Sequence, residues 1–206
     1  SCCIPKYQSC LYGKATKRPW QSKGQTNKNK IKTVTKPGKC VSVDQLESNK
    51  GYFFRKRYKV ATIFVDHFSR LSFVYLQEST KGEETLLAKR AFETYSASFG
   101  VTILNYHADN GRFVDNAWKD SLNEENQTIT YCGVNAHWQN GIAERRIRDL
   151  REQTRTMLLH AEHHWPDAVT TSLWPYAMRT ASHIFNDAPT LKGAHKDKTP
   201  REMFTG

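Results

Sequence analysis

The chain has 206 residues, 38% of them hydrophobic and 12% aromatic, which is enough for the core of one ordinary domain. No apolar run reaches membrane-spanning length and no secretory pattern opens the sequence. Cys2, Cys3, Cys10, Cys40 and Cys132 are too scattered for a disulfide framework, so an intracellular, reducing setting with no membrane partner is expected. The net charge of +11 is unevenly spread: residues 1–43 carry ten Lys or Arg and no acid, while the remaining 163 carry 21 bases and 20 acids. Such an arm suits a polyanion such as nucleic acid, with affinity that falls as salt rises; a solvated linker without a partner is the bland alternative.

In chain order, residues 1–20 are mixed in character and residues 21–39 read as a polar, basic linker. Lys14, Lys17 and Arg18 are the arm's candidate nucleic-acid contacts. Ordered structure is predicted from Cys40. CVSVDQL alternates like a strand, 47–57 reads as a loop, and YKVATIFVDHF (58–68) is the densest run of β-branched and aromatic residues. LSFVYLQ (71–77) follows across the short Ser69-Arg70 junction, so the two strands should form an antiparallel hairpin. GEETLLAKRAFETYSASFG predicts a helix with Leu86, Leu87, Ala91, Phe92 and Tyr95 on one stripe, ended by Gly100. A strand over 101–109, a short helix carrying Phe113, Ala117, Trp118 and Leu122, and a strand over 127–133 come next. A long helix over 142–161 buries Ile147, Leu150, Thr154 and Met157. A further helix over 166–186 should start near Pro166 and break or kink at Pro175. The tail from Pro189 reads as loop, with a short turn at PREMF. This order describes a mixed α/β layer arrangement.

Three acids occupy places where chemistry gathers in such folds, at strand ends and helix starts. Asp44 lies inside the first strand, where an unpartnered charge costs desolvation. Asp109 ends the fourth strand, and Glu144 sits in the first turn of the long helix. Together they form an oxygen donor set suited to a hard divalent cation. Singly, each has a plain reading: an exposed sheet position, a turn-forming Asp, and an acid favoured by the helix dipole. Asp66 is a fourth candidate, read as a hairpin or outer residue that pairs with Ser69 or Arg70. His67 and His107 near strand ends are more simply structural, and Cys132 reads as a small buried hydrophobe.

SVDQLES around Asp44, YKVATIFVDHFSRLSFVYL, HADNGRF around Asp109, NAHWQNGIAERRIRDLREQTRTML and LWPYAMRTASHIFNDAP follow one another in this order. In these motifs the chain resembles the integrase region of copia-type LTR retrotransposon polyproteins, over nearly its whole length. The resemblance implies an RNase H-like α/β fold, a five-stranded mixed sheet flanked by helices. It implies an Asp-Asp-Glu triad of Asp44, Asp109 and Glu144 holding Mg²⁺ or Mn²⁺, with 3′-end processing of element DNA and its transfer into target DNA. It places Asn110 beside the metal, puts Gln139, Asn140 and Gly141 in a segment that meets DNA ends, and offers Arg145, Arg146 and Arg148 to phosphate. DNA ends, target DNA and further copies of the chain are the implied partners, with action in the nucleus.

Two departures qualify the resemblance. The family's zinc module precedes its core, and CLYGKATKRPW matches only the end of it; Tyr7 stands where a partner cysteine belongs, so no complete zinc site is expected. The 34 residues between Asp109 and Glu144 are one fewer than is common in the retroviral pattern. The expected organisation is a basic arm over 1–39 with a degenerate end of the zinc module, a catalytic core over 40–188 and an extension over 189–206. The chain is expected to lack parts at both ends. A catalytically inactive DNA- or RNA-binding remnant and a purely hydrolytic nuclease of the same fold are the rival functions.

Overall fold

The computed structural model describes residues 34–53, 56–109, 112–132, 140–189 and 196–206, together with Ser9. Five strands form one sheet: β1 Val41–Phe53, β2 Lys56–Asp66, β3 Ser72–Gln77, β4 Asn105–Ala108 and β5 Thr128–Tyr131. Their order is β3-β2-β1-β4-β5. The first three strands pair antiparallel, whereas β4 pairs parallel to both β1 and β5. Among the residues of the described core lie five α-helices: α1 Gly82–Ala97, α2 Asn116–Glu124, α3 Gly141–His164, α4 Trp174–Asp187 and α5 Pro200–Thr205. The five-stranded mixed sheet with helices on both faces is the architecture the resemblance implies.

Alternation along the strands divides the core in two. Val41, Val43, Phe64, Tyr106 and Ala108 face α1 and α2, where Phe92, Trp118 and Leu122 cover them. Phe64 and Phe92 stack with ring centroids 4.7 Å apart. Ala61, Ile63 and Val65 face α3 and α4 and meet Leu150, Met178 and Ala181. Each of these larger side chains contributes about 1.5–3 kcal/mol by leaving water. Ser42, Asp44, His107 and Asp109 occupy the alternate positions, so the period of two assigns them to the α3 face.

Several elements differ from expectation, each for a local physical reason. The loop predicted over 47–57 is overturned, because β1 continues past an irregularity between Glu47 and Gly51 and pairs again from Gly51↔Tyr58 to Phe53↔Lys56. Pairing with β2 overrides the weak strand preference of its polar residues. The fourth strand is only Asn105–Ala108, because the amides ahead of it bond elsewhere: Val101 to the Ser96 carbonyl and Leu104 to that of Gly38. The last long helix starts at Trp174 rather than 166, and Pro175 sits in its first turn, where the missing N–H costs nothing and no break results. The turn predicted at PREMF is helix α5, started by a capping box between Thr199 and Glu202. On α1, Leu87 is 51% exposed and Lys89 is buried in its place. Lys89 reaches Glu93 at 2.9 Å, and the Tyr106 hydroxyl donates to the same carboxylate.

Candidate functional site

Register sets the strands that lead to the first two acids side by side. β1 and β4 run parallel with Val41 opposite Tyr106 and Ser42 opposite His107. Two residues further along each chain come Asp44, still in β1, and Asp109, just past the end of β4. Both are half-buried. The amide of Gln45 donates to Asp44 Oδ1 at 2.8 Å.

The third acid arrives on α3. Asn140, immediately ahead of this helix, is 2% exposed, and its Nδ2 donates to the Val43 carbonyl at 3.2 Å. This bond ties the helix start to β1 one residue before Asp44. Glu144 follows in the first turn, half-buried. Its carboxylate borders a cleft of about 730 Å³ whose lining includes Leu46, Ile147, Arg148, Arg151 and Trp174.

Cys132, just past β5, is buried, and its thiol is pushed up first by burial and then by the charges of Asp109, Glu144 and Asp44. Its Sγ lies 3.6 Å from His107 Nε2, and His107 Nδ1 lies 2.9 Å from Thr130 Oγ1. Among the described residues, no group of three or more His, Cys, Asp or Glu side chains is arranged to hold a metal ion. Three oxygen donors from three elements nonetheless match the chemistry of a hard divalent cation.

The neighbouring candidates divide. Asp66 is buried and accepts from the amides of Gly38 (2.9 Å), Phe68 (3.1 Å) and Ser69 (2.7 Å) and from Ser69 Oγ (2.8 Å). Its bonds thus serve the β2–β3 turn, as the hairpin reading expects. Burial raises its pKa against the pull of those donors. His67 shares a 2.8 Å hydrogen bond with Ser42 Oγ, and burial, then the Arg70 and His107 charges, lower its pKa to about 4. Gly141 opens α3, and an added Cβ there would meet nothing within 4 Å. Arg145 and Arg148 are exposed on opposite flanks of the helix, Arg148 beside Glu144. Lys14, Lys17, Arg18, Asn110, Gln139, Tyr7 and the cysteines of the arm lie outside the described residues. Sequence reasoning missed Arg151 and Arg155, which join Arg148 along the cleft. The signal was present in their spacing of three and four residues on one helix.

Solved structures share this architecture. A chain of a simian T-cell lymphotropic virus intasome matches 83% of this chain, and 55% of its own length, with a TM-score of 0.63 and 14% identity. The integrase catalytic core domain of HTLV-2, solved in complex with magnesium, matches 82% of this chain and 97% of its own, with a TM-score of 0.57 and 17% identity. The BIV integrase core matches 81% and 93%, at 0.56 and 19%. Two curated relatives agree in sequence. The retrovirus-related Pol polyprotein from transposon RE2 of Arabidopsis thaliana is 29% identical over 135 residues, 65% of this chain and 9% of the polyprotein. The one from transposon RE1 is 28% identical over 135 residues, 65% and 8%. The chain therefore has the fold of an integrase catalytic core and is similar in sequence to retrotransposon Pol polyproteins. The relationship is consistent with a copia-type element. No family model matches the chain. The integrase-like core spans less than a tenth of the length of these two polyproteins. No helix among its described residues is long and apolar enough to cross a membrane.

Proposed function

We propose that this chain is the catalytic core of a metal-dependent polynucleotidyl transferase, which trims the 3′ ends of element DNA and joins them to target DNA. What supports this reading is the likeness of the fold to integrase catalytic cores, together with the places of Asp44, Asp109 and Glu144 in it. They come from a strand interior, the residue just past a strand end and a helix start. These three residues would hold Mg²⁺ or Mn²⁺. When bound, the metal activates the attacking oxygen and offsets charge on the leaving one.

The protein's own contribution is placement. β1, which carries Asp44, runs parallel to β4, whose last residue precedes Asp109. The Asn140 bond to Val43 holds α3, and with it Glu144, against β1. Arg148, Arg151 and Arg155 line the cleft that Glu144 borders, where a DNA backbone would find cations along its path. The basic arm with Lys14, Lys17 and Arg18, the exposed Arg145, and Gln139 and Asn110 remain proposed DNA contacts or neighbours of the site. Self-association on paired DNA ends and action in the nucleus belong to the same proposal, as does the division into arm, core and extension.

A 3′-processing and strand-transfer assay with Mg²⁺ or Mn²⁺ tests it. Asp109→Asn and Glu144→Gln should each lower activity by more than roughly 100-fold, the upper range for loss of even an outer partner of a metal ligand. Unchanged activity in both variants overturns the triad. Salt-sensitive DNA binding without activity under either metal favours a binding remnant, and cleavage without joining favours a nuclease.

A further inference from the structure

Helix α3 separates two clefts. Glu144 borders one; the other, of about 420 Å³, is lined by Val65, Arg70, Gly141, Ile142, Arg145, Arg146 and Asp149. Three arginines therefore border one cleft, with Arg70 and Arg145 exposed and Arg146 half-buried. Arg146 Nη2 donates to the Arg70 carbonyl at 3.0 Å, and its guanidinium lies 5.0 Å from the Phe185 ring centroid. Arg70 adopts a left-handed backbone, φ 66°, which a side chain of its kind rarely accepts. Its amide bonds the Asp66 carbonyl at 3.0 Å, in the turn that the Asp66 carboxylate closes. A strained residue held this firmly is presented rather than left loose.

The charges are only partly answered, by Asp66 and Asp149. Among the described residues none of the three arginines has an ion-pair partner. Asp149 is the sole acid among the residues lining the cleft. Burial and then the Arg145 charge lower the Arg70 pKa, against the opposing influence of Asp66. Burial is also the largest influence lowering the pKa of Arg146; Asp149 opposes it, and Arg70 and Arg145 add to it. Cations that destabilise one another in a cleft are relieved by an anion, and the planar guanidinium fork matches phosphate oxygens.

We propose that the cleft of Arg70, Arg145 and Arg146 binds a phosphate group of a DNA backbone, on the side of α3 away from Glu144. The choice of DNA as the source of that phosphate rests on the function proposed above; the phosphate chemistry does not. The site gives the core a grip on DNA that is separate from the cleft bordered by its acids.

The test uses the full chain without divalent metal, so that chemistry is silent and the outcome is independent of the triad. Binding of a labelled DNA duplex is measured across a salt series for the parent, Arg70→Gly and Arg70→Lys. Glycine suits the left-handed backbone at position 70, so Arg70→Gly should melt at or above the parent temperature while lacking the cation. It should bind more weakly, with a log–log salt slope smaller by about one. Arg70→Lys should restore most of that slope. An unchanged slope in a folded Arg70→Gly overturns the proposal. In a second arm, inorganic phosphate should raise the melting temperature of the parent more than that of Arg70→Gly. A phosphate response that depends on Arg70, without any change in the DNA slope, overturns DNA as the source and leaves a free-phosphate site.

Discussion

Asp66 shows how one side chain holds a turn. Its four accepted hydrogen bonds tie Gly38, Phe68 and Ser69 to the end of β2. Asp66→Asn would turn an amide donor toward these donors and cost about 2–3 kcal/mol, the range for leaving buried polar groups unpaired. For a chain of this size each kcal/mol lowers the melting temperature by roughly 2–4 °C, which calorimetry would register. His67 predicts a pH effect. Folded, it takes up its proton only near pH 4, whereas unfolded it does so near about 6.5. Between those values the unfolded state binds more protons, so stability falls as pH drops from about 6.5 to 4. His67→Gln should flatten that part of a denaturant-midpoint profile against pH, and an undiminished slope would place the titration elsewhere. Asp44 was legible in sequence because a charge inside an apolar strand stands out. Asp109 and Glu144 were not legible singly, since turn and helix-start roles account for each. The inward-turned Asn140 and the strained Arg70 left no local trace, because burial and φ are set by the rest of the fold.

Among the elements, β1 and α4 are fitted to each other at Gly51. A Cβ there would sit 2.2 Å from Trp174 Nε1 and 2.6 Å from Pro175 Cγ. Neither ring retreats easily, so Gly51→Ala should cost about 1–3 kcal/mol as overpacking, read as a lowered denaturant midpoint. An unchanged midpoint would mean that α4 can move away from the strand. The β2–β3 hairpin and the long helix α3 were legible from composition and period. The upper half of β1 was not, because its strand state depends on a partner rather than on its own residues. Pro175 was read as a break because sequence alone did not reveal that the helix begins beside it.

For the molecule as a whole, the mixed sheet follows from the alternation of strands and helices, but its order does not. Nothing local says that β4 inserts between β1 and β5. That insertion also sets a timetable. β2 pairs with its chain neighbours through nearby contacts, whereas the β1–β4 pair joins residues as distant as Val41 and Tyr106. Local pairings close early and distant parallel ones late. Asp44 therefore rides on the early ribbon, and Asp109 directly follows the late strand. A divalent cation held between them would find no complete grip until folding is nearly over. In stopped-flow experiments Mn²⁺ should slow unfolding and leave the folding rate unchanged. Faster folding with Mn²⁺ would mean that β4 docks before the barrier, with the two aspartates already side by side.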